Sequence, residues 1–157
     1  MNQNSAYKTV FDFIFTSFEC AELINAIEHA LDVKYDTNLD LMETLSKHAS
    51  YIAMQEIEQL LKDNGIYSHD KETAISFLSN ILKELKSAPT LLLTLSFFPT
   101  YDQIKSFTKW WRQEINSHTV LRIKVDHKIL AGAIIEWQGV STSLTLQNEI
   151  DKIILKS

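Results

Sequence analysis

Residues 119–145, TVLRIKVDHKILAGAIIEWQGVSTSLT, decide how the chain is read. The first seven alternate. Leu121, Ile123 and Val125 fall on one side and Val120, Arg122 and Lys124 on the other, the period-2 pattern of a half-buried strand. Asp126, His127 and Lys128 form a connection. Ile129 to Trp137 reads as a second β segment, interrupted at Ala131-Gly132, where glycine permits a bend or a close backbone approach. Gln138-Gly139 reads as a turn, Val140 to Leu144 as a short return strand, and Leu146 to Leu155 as a closing helix.

Upstream, Pro99-Thr100 opens a helix from Tyr101 to about Asn116, with Ile104, Phe107, Trp110, Trp111 and Ile115 available to pack. Before it, Leu91-Leu92-Leu93-Thr94-Leu95 is a short apolar run between Pro89 and Phe98-Pro99, which suits a buried strand. The order is β-α-β-β-α, with one more strand where Val140 to Leu144 pairs. N-terminal to Ser87-Ala88-Pro89 the period becomes helical. Val10, Phe11, Ile14, Phe15 and Phe18 form one apolar stripe, and Leu23, Ile24, Ile27, Ala30 and Leu31 a second, starting near Ser17 or Glu19. After a break at Asp36 to Asp40, a long helix is expected from about Asn38 to Asn64, ended by Asn64-Gly65. A fourth follows Ser68 or Asp70 and carries Ala74, Phe77, Leu78, Ile81, Leu82 and Leu85. The expected class is α+β: an all-α helical bundle over 1–87, then a small β-α-β-β-α unit over 88–157.

Charge divides the chain at the same place. Residues 1–87 hold 7 Lys/Arg and 14 Asp/Glu, and residues 88–157 hold 8 and 6, so the halves carry −7 and +2. The total of −5 argues against sequence-independent binding of nucleic acid, which needs a cationic surface. A chain of 157 residues can bury roughly 70% of its unfolded surface. No run of 18 apolar residues occurs, and the first residues, MNQNSAYKTV, lack the pattern of a signal peptide. One cysteine, Cys20, cannot form an internal disulfide, which fits a reducing compartment. The expectation is a soluble intracellular protein.

Few residues suggest catalysis. None of the five histidines, His29, His48, His69, His118 and His127, pairs at i and i+4 as helical zinc ligands do. His69-Asp70 echoes the His-Asp pair of metal phosphohydrolases, yet it sits beside a predicted turn and reads better as a surface loop. Gly65, Gly132 and Gly139 are too far apart for a phosphate loop, and the acidic run Asp36, Asp40, Glu43 lacks the glycine of a calcium loop. No catalytic residue, metal, cofactor or small-molecule ligand is expected. Trp110-Trp111 points elsewhere, because adjacent helical residues diverge by about 100° and only one can face the core squarely. The other covers surface or enters a partner, so a binding or structural protein is favoured over an enzyme.

From about Ala88 onward the chain resembles the C-terminal region of the F-type ATP synthase delta subunit, the oligomycin-sensitivity-conferring subunit family. Val125-Asp126 matches the family's Val-Asp, Ile129-Leu130-Ala131-Gly132 its link and glycine pair, and Gly139 its turn. Ser141-Thr142-Ser143 stands at its "D-x-S", and Leu146 to Ile154 at its closing helix. His127-Lys128 replace the family's Pro-Ser, Ala131 its first glycine and Ser141 its Asp, while the basic residue usual after the Ser is absent. The family bundle has about six helices where four are read here, which would make the chain a divergent or minimal member. The resemblance implies a non-catalytic stator component, peripheral on the cytoplasmic face of an energy-coupling membrane. It would link the b subunits of the peripheral stalk to the alpha subunits of the catalytic head. Apart from the resemblance, Trp110, Trp111, Phe97 and Phe98 are the candidates for the stalk-facing surface. The competing expectation is a helical adaptor or regulatory module unrelated to ATP synthase.

Overall fold

The structure, a computed structural model, describes residues 10–32, 41–66 and 71–145. It is α+β, with helices mostly N-terminal and strands C-terminal. The chain divides into two compact units. Among the described residues, the first comprises 10–14 and 18–88, and the second 15–17 and 89–145.

In the first unit, residues 10–13 are helical and are followed by α1 (Ser17–Asp32, of which Ser17 belongs to the second unit), α2 (Leu41–His48), α3 (Tyr51–Asp63) and α4 (Lys71–Ser87). Each of the longer helices buries one stripe: Leu23, Ala26, Ile27 and Ala30 on α1, Ile57, Leu60 and Leu61 on α3, and Leu78, Ile81 and Leu85 on α4. Two expectations are corrected. The stripe from Val10 to Phe18 is not one helix, because the chain leaves helical conformation at Ile14–Thr16, and Phe18 is 70% exposed. The long helix expected from Asn38 to Asn64 is two, α2 and α3, divided at Ala49-Ser50. Ser50 is extended, and its hydroxyl accepts from the Ala53 amide at 3.3 Å, an N-cap that restarts the helix. At the far end Asn64 and Gly65 close α3 as expected. The Gly65 amide donates to the Lys62 carbonyl at 2.9 Å, and Gly65 takes φ +67°. The lone cysteine, Cys20, is buried, and its thiol donates to the Leu85 carbonyl of α4 at 3.8 Å. His69-Asp70 lies outside the described residues.

The second unit runs β1 (Thr90–Leu95), α5 (Tyr101–Glu114), β2 (Val120–Val125), β3 (Gly132–Trp137), β4 (Val140–Thr145). The strands form one mixed sheet in the order β2-β1-β3-β4. β1 and β2 are parallel and joined through α5, while β3 pairs antiparallel with β1 and with β4. Thr100 caps α5 with a reciprocal capping box. The Gln103 amide donates to the Thr100 hydroxyl, and the Thr100 amide donates to the Gln103 side chain at 2.9 Å. Alternation sets the faces. Leu91 and Leu93 of β1, with Leu121 of β2, meet Ile104 and Trp111 of α5, and Leu95, Ile123, Ala133, Ile135 and Trp137 pack around them. The opposite face carries Arg122, Leu92 and Glu136 in one cross-strand row. The final strand of the expected order does pair, and the closing helix expected from Leu146 lies outside the described residues.

A short piece of distant sequence completes this sheet. Phe15 accepts from the Leu121 amide at 2.9 Å, and Thr16 makes a parallel bridge to Leu121 on the outer edge of β2. The Phe15 ring is 3% exposed. It meets Tyr101 edge-on at 6.2 Å, with Lys105 and Arg112 over its face at 5.6 and 5.7 Å.

Gly132 has φ +104°, and a Cβ there would stand 2.0 Å from the Leu144 carbonyl oxygen of β4. β3 begins at Gly132 rather than at Ile129, because the Ile129 amide is engaged in the preceding turn, donating to the Asp126 carbonyl at 3.1 Å. Gln138 (φ +49°) and Gly139 (φ +81°) form the two-residue hairpin turn, with open space around Gly139. Gly132→Ala is therefore expected to destabilise the sheet unit by about 3–5 kcal/mol. Gly139→Ala should cost only about 1 kcal/mol, for its backbone conformation alone. Urea unfolding followed by tryptophan fluorescence measures both, and equal effects at the two glycines would contradict this account.

Candidate protein-binding surface

The four aromatic candidates divide. Trp110 is 50% exposed, Phe97 55% and Phe98 70%, whereas Trp111 is only 6% exposed. Trp111 is thus corrected from a partner-facing residue to a core residue. Of two side chains about 100° apart, α5 turns Trp111 onto the sheet, where its ring meets Trp137 at 5.5 Å, and leaves Trp110 outside. Among the described residues the Trp111 Nε1 donor finds no acceptor. Phe107 lies 5.8 Å from Trp110 and 6.2 Å from Trp111, bridging the exposed ring to the buried one.

The three exposed aromatics do not form one patch. Phe97 and Phe98 precede α5, at the C-terminal ends of the parallel strands, where Tyr101 and Leu130 are also more than half exposed. His127 reaches across this end, its Nδ1 at 3.0 Å from the Ser96 carbonyl oxygen. Trp110 lies about 14 Å further along the helix axis from Tyr101. On the sheet face that α5 covers, Val140 and Leu144 of β4 remain 66% and 63% exposed.

The residues that carry the resemblance do structural work. Val125 ends β2 opposite Leu95. Asp126 turns the chain: its amide donates to the Leu95 carbonyl at 2.8 Å, and its carboxylate accepts from the Lys128 amide at 2.9 Å. Gly132 and Gly139 supply the backbone conformations described above. Ser143 is exposed on β4, with its hydroxyl 3.3 Å from that of Thr145.

The first unit holds a second surface feature that no sequence motif signalled. A depression of about 460 Å³ is lined by Phe13, Ile52, Gln55, Glu56, Glu58, Gln59 and Lys62. Glu56 is half-buried there, and burial, followed by the charge of Glu19, pushes its carboxyl up to about 7. Among the described residues no three His, Cys, Asp or Glu side chains are grouped as metal ligands. Nor is any helix among them long and apolar enough to cross a membrane.

No protein-family model matches the chain, and no curated protein matches it.

Glu56 makes the protein's stability depend on pH. The folded state holds the proton up to about pH 7, while the unfolded chain releases it near 4.5. Stability should therefore fall as pH rises between those values and level off above. Glu56 is partly open to water, so screening limits the loss to about 1 kcal/mol. Glu56→Gln should flatten this part of the profile and raise stability at pH 8, as measured by urea unfolding at several pH values.

Proposed function

We propose that this chain is a stator component of an F-type ATP synthase, joining the b subunits of the peripheral stalk to the alpha subunits of the catalytic head. The observation that supports it most is the element order β1-α5-β2-β3-β4 with Val125-Asp126, Gly132 and Gly139 at its turns and close approaches. These are the positions at which the sequence resembles the delta subunit. In this reading the helical unit takes the N-terminal helix of an alpha subunit. Its acidic sequence favours a basic or dipolar partner helix, through steering more than affinity. The sheet unit meets the stalk, and Trp110, Phe97 and Phe98 are the side chains it presents. The subunit performs no chemistry of its own. It resists rotation of the head while the central rotor turns, and it reaches the membrane only through the complex.

The test is recovery of partners from native membranes in mild detergent, using the tagged chain and mass spectrometry. Alpha, beta and b subunits should be recovered together. Trp110→Ala and Phe98→Ala should each lower recovery of b by about tenfold or more, the scale of an aromatic hot spot, while leaving alpha bound. Recovery of soluble partners only would replace this reading with that of a free-standing adaptor.

A further inference from the structure

The sheet unit has a core residue that its own stretch of chain does not supply. Phe15 sits among Leu91, Leu93, Ile104, Trp111 and Leu121, and it accepts a backbone hydrogen bond from Leu121. The residues on either side, 10–14 and those from Phe18 onward, belong to the helical unit. The chain consequently passes between the units three times: after Ile14, after Ser17 and after Ala88. A single linker at Ala88 would let each unit fold without the other.

We propose that residues 15–17 are a strap that makes the sheet unit depend on the helical unit being folded, so that loosening one weakens the other. The physical basis is loop closure. While the helical unit is folded, both ends of the strap are fixed by helical neighbours, and seating it on β2 closes no flexible loop. Once that unit unfolds, keeping Phe15 in place closes the whole of 18–88 into a loop. The penalty grows as the three-halves power of loop length, on the order of several hundred-fold in population here. The strap then tends to leave, the outer edge of β2 loses its partner, and the core loses a ring that is 3% exposed.

The three tryptophans, Trp110, Trp111 and Trp137, all lie in the sheet unit, so their fluorescence reports on it alone. Far-UV circular dichroism reports mainly on the helical unit. In urea unfolding of the full chain, Ile57→Ala, a 1% exposed site in the helical unit, should lower both midpoints together by about 1 M or more. If that substitution unfolds the helical unit outright, the tryptophan emission should be that of an unfolded chain as well. A tryptophan transition that keeps its wild-type midpoint, or native emission beside an unfolded helical unit, would overturn the proposal. Phe15→Ala should lower the tryptophan midpoint by a similar amount, whereas Phe18→Ala, at a 70% exposed site, should not. An unmoved midpoint in Phe15→Ala would overturn it too.

Discussion

Among the described residues, one helix lies against a four-stranded sheet, and the width of that helix limits how many strands it can cover. A helix with its side chains is about 10 Å across and strands are about 4.8 Å apart, so α5 can cover roughly two strands fully. Ile104 and Trp111 pack with Leu91, Leu93 and Leu121 of β1 and β2, and Trp111 also reaches Trp137 of β3. On one flank the shortfall is met by Phe15, brought in from the other end of the chain. On the other flank, among the described residues, Val140 and Leu144 of β4 stay in the open. Arg112 secures the covered side: its Nε donates to the Thr119 carbonyl at 2.8 Å, tying the end of α5 to the strand it leads into.

Local patterns were legible and distant ones were not. The alternation over 119–125, the Gln138-Gly139 turn and the opening of α5 at Pro99-Thr100 each concern residues that determine one another's conformation within a few positions. The stripe from Val10 to Phe18 misled for a physical reason: periodicity records which residues are buried, not whether they share one helix or one core. Phe15 is buried, as its place in the stripe suggests, but in the sheet unit. The break at Ala49-Ser50 carries no signal in the sequence, since a serine within an apolar-periodic run has the pattern of any exposed helical position, and only the fold brings its hydroxyl to the Ala53 amide. The choice between Trp110 and Trp111 depended on which side of α5 meets the sheet, and Glu56 became notable only through its burial beside Glu19.

The resemblance and the proposed partner surface rest on different residues. Val125, Asp126, Gly132 and Gly139 fix where strands stop and how closely β3 and β4 approach, so a match at those positions speaks first to fold. Phe97, Phe98 and Trp110 hold little of the core and could change without loss of the sheet. A chain under selection for its architecture but free to change partners would keep the first set and vary the second.

Cys20 is the only thiol in the chain, and it is sealed between α1 and α4 with its hydrogen on the Leu85 carbonyl. A thiol reagent can reach it only when those two helices part. The rate of its modification under native conditions is therefore a clock for the opening of one helix pair, and comparison with the rate of global unfolding separates local breathing from loss of the whole fold.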